Sequence, residues 1–420
     1  MRRLTIVLLA LGLVAVCPPA SRAQTGRSAP PPPKTPAAAP APAAAPAATP
    51  APPASPTPPA PAAPPAAQTA APTTIVAPPA TPAKPGEAPK PVQKVTLYSA
   101  FEPARLKPVF ADFSKDSGIT IELQSDMPDL LLGRLLREGG ATSADLILMP
   151  NLTRFDRAAT AGLLQPRAVP ALEEAVPPAY RDPSARWFGV ASFARGVAYR
   201  TDKVKPGEIV HYEDLAKPQW KGRLCIPPID RPGNRTLFAS LVLHDGAVAA
   251  EQWIQAVGAN AVTLPPPEGK PEIDGDDRPL IRALGAGKCD AAIIGSRTLA
   301  RLADRGDDKD KAILDQLAVV WPNQDTSGTQ VDIVGVALTG GTDKREPALK
   351  VMAYLASDTG QRLLAEALWA YPIKPGVPLS NPVTRWGPFK ADETPLSTLL
   401  PLLEQAADLA DHANWPPPPL

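Results

Sequence analysis

The chain has 420 residues, with 43 Lys and Arg against 42 Asp and Glu and a net charge of +1. A balance this even, without a basic block, excludes nucleic acid as a partner. Beyond the N-terminal apolar run no stretch has the roughly 20 consecutive apolar residues that a membrane-spanning helix needs.

In chain order, Met1-Arg2-Arg3 leads into an apolar run over 4–16, and Ser21-Arg22-Ala23 offers small residues at the spacing of a signal-peptidase site. The pattern predicts a secretory signal over 1–23 and a periplasmic protein. A lipid anchor at Cys17 competes with it, although bulky Val16 stands where a small residue is preferred. Residues 24–93 are mostly Pro and Ala. Such a tract lacks the apolar area that would offset the entropy of ordering, so it reads as an extended, disordered linker. It is either a spacer for the domain beyond it or a drifted tract with no partner. Residues 416–420 read as a Pro-rich tail.

The segment between them alternates strands and helices. VTLYSA (95–100), ITIELQ (119–124) and ADLILMP (144–150) read as strands, and the helices between and after them cover 104–118, 129–140 and 153–164. That rhythm predicts a mainly parallel sheet with flanking helices. WFGVASFARGVAYR (187–200) reads as a long strand crossing into a second lobe, because its middle is too polar for a buried central strand. A second α/β set follows, with GRLCIP and CDAAIIG as strands and helices near 235–244, 249–259, 278–286 and 298–304. GTQVDIVGVALT (328–339) leads back, and helices near 345–356, 358–367 and 396–413 rejoin the first lobe. The expected fold is α/β with two lobes, 94–195 plus 331–415 and 196–330, and a ligand cleft between them.

The chemistry expected of an enzyme is missing. His211, His244 and His412 are far apart, and no G-x-S-x-G nucleophile elbow occurs. Gly285-Ala286-Gly287-Lys288 lacks the upstream glycine of a phosphate loop and has Cys289 where Ser or Thr belongs. Asp274-Gly275-Asp276-Asp277 has the wrong order for an EF-hand and reads as a solvated loop. No catalytic residue, cofactor or resident metal is assigned. Cys225 and Cys289 remain after signal removal and suggest a disulfide in an oxidising compartment, with two buried thiols as the alternative.

An ordered set of motifs then points to one family. It comprises Val197–Val204, HYEDLAKPQWKGRLCIPP (211–228), GKCDAAIIGSRTLARL (287–302), WPNQDTSGTQVDIVGVALT (321–339), YLASDTGQRLLAE (354–366), YPIKPGV (371–377) and WGPFKADETPLS (386–397). Together they resemble the periplasmic ferric-iron-binding proteins of bacterial ABC importers. The resemblance implies a type II periplasmic binding protein fold, a monomer, a small ligand, and an ABC permease as partner.

The resemblance also exposes a departure. The family holds ferric ion largely with tyrosine phenolates, hard oxygen donors for a hard cation. Where it carries a His-Tyr pair, this chain has Glu102 and Pro103. Gly233 stands at another tyrosine position, and Arg297 and Thr298 replace a Tyr-Tyr pair. Tyr98 and Tyr199 lie on strands and read as packing residues. Arg195, Arg231, Arg235 and Arg297 are expected around the cleft, completed by Ser99, Phe101, Glu102, Ser192, Asn234 and Ser296. Arginine forks suit carboxylates and phosphates and repel a bare trivalent cation. The expected ligand is therefore a small anionic or polar solute. Ferric or chelated iron in a non-standard site is the alternative, and a sensing or scaffold module is the second alternative. The competing reading of the arginines is that they pair with Glu102, Asp230 or Asp332 across the cleft and contact no ligand.

Overall fold

The computed structural model describes residues 93–228, 231–264, 275–413 and 415. The expected signal, nearly all of the linker, the Pro-rich tail and Asp230 lie outside that set. Eight strands form the framework: β1 (Gln93–Ser99), β2 (Ile119–Ser125), β3 (Leu146–Pro150), β4 (Phe188–Arg200), β5 (Leu224–Cys225), β6 (Ala291–Gly295), β7 (Leu317–Val320) and β8 (Val331–Leu338). Their order is β2-β1-β3-β8-β4-β6-β5, with β7 also on β4. The outer pairs β1–β2, β1–β3 and β5–β6 are parallel, as their helical crossovers require. The pairs that involve β4 or β8 are antiparallel, so each half of the sheet is mixed.

Strand β4 makes two lobes out of one chain. Its first half, Phe188–Ala194, pairs with β8, and its second half, from Arg195 on, pairs with β6 and β7. Thirteen residues thus serve two half-sheets in turn. The expectation that the middle of this strand escapes burial is corrected: Ser192 and Arg195 are each 8% exposed. Polar groups tolerate such burial because they are bonded. Ser192 exchanges backbone hydrogen bonds with Tyr371, and Arg195 has a carboxylate partner. A second link runs through Gln330, whose carbonyl accepts from the Arg195 amide at 3.0 Å.

Helices cover both half-sheets. Pro103–Ser117 packs on β2 and presents Phe110 and Phe113 to Tyr354. Pro232–Asp245 and Ala247–Asn260 pair in the second lobe. The last helix, Leu403–His412, does not stay with the first lobe as expected; it packs on those two helices. Trp415 explains the choice, because its ring lies 4.8 Å from Phe238 and 6.1 Å from Trp253 and buries its large apolar face there. Cys225, at the end of β5, is disulfide-bonded to Cys289, ahead of β6, with Cα atoms 5.7 Å apart. Closing a loop of 64 residues' separation stabilises by about 4 kcal/mol in the chain-entropy account.

Candidate functional site

The carboxyl ends of β3, β5 and β6 face one another across the junction of the lobes, where ligands of open α/β sheets bind. An inner pocket there is lined by Pro150 and Asn151 at the end of β3, Phe193 and Arg195 on β4, Arg231 and Gly233 after β5, Gly295 and Arg297 at the end of β6, and Gln330 and Asp332 at the start of β8.

Arg195 is the centre of its charge. Nη1 donates to Asp277 Oδ2 at 3.1 Å, and the same oxygen accepts from the Gly295 amide at 2.8 Å. Asp277 is only 2% exposed. Burial pushes its carboxyl upward, against the opposing pull of Arg195. The guanidinium rests against Gly233 so closely that a Cβ at that position would overlap it. Glycine at 233 and the extended rotamer of Arg195 therefore belong together. The acidic run at 274–277 is not a solvated loop at its end: Asp276 and Asp277 are buried and pair with Arg301 and Arg195.

Asp332 holds the other wall. Its carboxylate accepts from the amides of Leu152 and Ile333, from Asn151 Nδ2 and, at 2.9 Å, from the hydroxyl of Thr236 on a helix of the second lobe. Burial raises its pKa, and these bonds work against that rise. Asp332 is thus engaged by neutral donors. Arg297 crosses the middle of the cleft, 5.1 Å over the Phe101 ring and 5.6 Å from Phe193. On its far side an outer pocket is lined by Phe101, Glu102, Arg105, Asp126, Arg301, Arg305 and Trp369, among others.

Of the residues singled out in the sequence, the structure gathers Arg195, Arg231 and Arg297 on the inner pocket and Phe101 and Glu102 on the outer one. Others serve the backbone. Ser99 accepts from the Phe101 amide, Ser296 accepts from the Ala194 amide, and Asn234 donates to the carbonyls of Pro227 and Pro228. Ser192 is held in its bridge to Tyr371. Arg235 points away on an exposed helical position and lines neither pocket. Asn151, Gln330, Asp332 and Arg105 were not proposed as lining residues, nor Asp277 as the partner of Arg195. One signal was available for Asp277, since a buried arginine on a central strand demands a carboxylate.

All six tyrosines of the chain lie outside both pockets. Tyr98 is bonded to Glu138 and Ser143, and Tyr354 donates to the Val109 carbonyl at 2.7 Å. Tyr212 donates to the Arg195 carbonyl, Tyr199 is buried in β4, and burial pushes Tyr180 up to about 12 and Tyr371 higher still. Among the described residues no group of three or more His, Cys, Asp or Glu is placed to hold a metal ion. No described helix is long and apolar enough to cross a membrane.

Two lobes joined by crossing strands, with a polar cleft at the strand ends, are the architecture of a ligand-binding receptor. Residues 95–367 match the family of bacterial extracellular solute-binding proteins, and the chain belongs to it. The chain is 35% identical to iron uptake protein A1 of Synechocystis, over 77% of this chain and 88% of that protein. Among solved structures it resembles a Trichodesmium FutA in complex with iron and citrate, with a TM-score of 0.72 and 32% identity over 77% of this chain and 99% of the other. It also resembles the ferric binding protein of Campylobacter jejuni, with a TM-score of 0.69 and 28% identity over 76% of this chain and 99% of the other. The two-lobed type II periplasmic binding fold is common to them.

Proposed function

We propose that this protein is the periplasmic receptor of an iron importer, that it captures ferric iron as an anionic chelate, and that it presents the chelate to an ABC permease. The names of its relatives favour iron over the purely organic anion that the arginines alone suggest. The observation that carries the chelate is the charge of the inner pocket. Among the described residues Arg195, Arg231 and Arg297 line it with Asp332, Asp277 stands behind Arg195 as its partner, and every tyrosine lies elsewhere. Bare ferric ion calls for anionic oxygen donors. Where the protein offers guanidinium groups, the chelator supplies those donors and the arginines bind its carboxylates.

The full-length protein, incubated with ferric citrate and desalted, is expected to retain iron and citrate together. Arg297→Ala lowers that retention about tenfold, the size of a lost charge-assisted contact. Iron retained without citrate, or retention unchanged in Arg297→Ala, contradicts the reading.

A further inference from the structure

The outer pocket has a composition of its own. Arg105 comes from the helix Pro103–Ser117 of the first lobe, and Arg301 and Arg305 come from the helix Ser296–Arg305 of the second. Arg301 is committed to Asp276 at 2.8 Å. Arg105 is held differently: Nε donates to the Ala367 carbonyl, and the guanidinium lies flat on Trp369, 3.3 Å from the ring centroid. A cation on an aromatic face keeps the outer edge of its fork available for an oxyanion. Trp369 is itself fixed, because its Nε1 donates at 2.8 Å to Asp304 of the second lobe. Arg305 is the exposed member, 3.5 Å from Asp304, with its side chain 69% exposed. Burial lowers the pKa of Arg105 to about 10 and the charge of Arg305 adds to the effect, while Asp304, Glu102 and Glu366 pull the other way. An oxyanion placed between Arg105 and Arg305 accepts hydrogen bonds from both guanidinium groups.

We infer that the outer pocket is a second binding subsite, built for the carboxylate of an organic polyacid, with Arg105 and Arg305 as its clamp. The inner and outer pockets share Arg297 as their common wall. One extended polycarboxylate, or two smaller ones, thus occupies both. Because the clamp residues belong to opposite lobes, an anion held there favours the closed arrangement. The subsite deepens the chelate reading and rests on it only for the iron.

The test uses calorimetric titration of the full-length protein with three probes: ferric citrate, iron-free citrate and inorganic phosphate. The variants are Arg305→Glu, a surface change that leaves packing intact, and Arg105→Gln. Both variants are expected to weaken citrate binding about tenfold or more, with and without iron, and to weaken phosphate binding less, because phosphate is too short to span from the inner pocket to the clamp. Citrate affinity equal to wild type in Arg305→Glu overturns the subsite, whatever happens to iron. A wild-type protein that binds no citrate overturns it as well. Arg305-dependent citrate binding without iron retention keeps the subsite and removes the chelate reading.

Discussion

Arg195, Asp277 and Gly233 form one unit, and each explains the other two. The buried guanidinium needs the carboxylate, and it needs a neighbour without a side chain. Asp277→Ala leaves Arg195 buried without its counter-charge. Breaking a buried pair in this way costs about 3 kcal/mol. Chemical denaturation is expected to show a lower midpoint with an unchanged slope, and a midpoint equal to wild type would show that the pair is dispensable. At this scale the sequence was legible in part. Arg195 was visible as an arginine on an apolar strand, and Arg297 as an arginine beside a strand end. Asp277 was misread because four polar residues in a row look solvated, and nothing local reports that a strand from elsewhere closes over them. The serines were misread for the opposite reason: small hydroxyls near a cleft suggest a ligand, whereas here they satisfy backbone amides.

The element that matters most is the crossing strand. Where β4 passes from one half-sheet to the other, the Tyr212 hydroxyl donates to the Arg195 carbonyl at 2.5 Å and accepts from the Gln330 amide at 3.2 Å. It therefore bridges both links between the lobes at their crossing point. Tyr212→Phe leaves the Gln330 amide buried without its acceptor, at a cost of about 1–3 kcal/mol. Small-angle scattering of the variant, with and without ferric citrate, is expected to show a smaller ligand-induced compaction than wild type. An identical compaction would remove Tyr212 from the hinge. Most elements were readable because apolar periodicity is strong in β1, β3, β6 and β8 and in the longer helices. The strand missed is short: β7 has four residues and follows a charged helix at Asp308–Leu314. β4 was expected as a strand, but its burial was not, because it hides its polar residues through pairing rather than through hydrophobicity.

For the whole molecule, a net charge of +1 conceals a local excess. The cationic residues that matter are brought to one cleft from β4, from the loop after β5 and from the helix after β6, so composition cannot reveal them. The order of motifs made the fold legible, because it follows the chain through strands, helices and loops of both lobes. The ligand was less legible, because it depends on which side chains converge after folding. Closure of the lobes over the cargo gives a receptor its selectivity, since contacts from both sides exist only in the closed state. The central claim is that this cleft takes iron inside an anion and not as a bare ion. The visible absorption spectrum of the full-length protein loaded with ferric citrate tests it most directly. The account predicts stoichiometric iron with no phenolate-to-iron charge-transfer band, since no tyrosine reaches either pocket. A strong band of that kind would place a tyrosine on the metal and contradict the account.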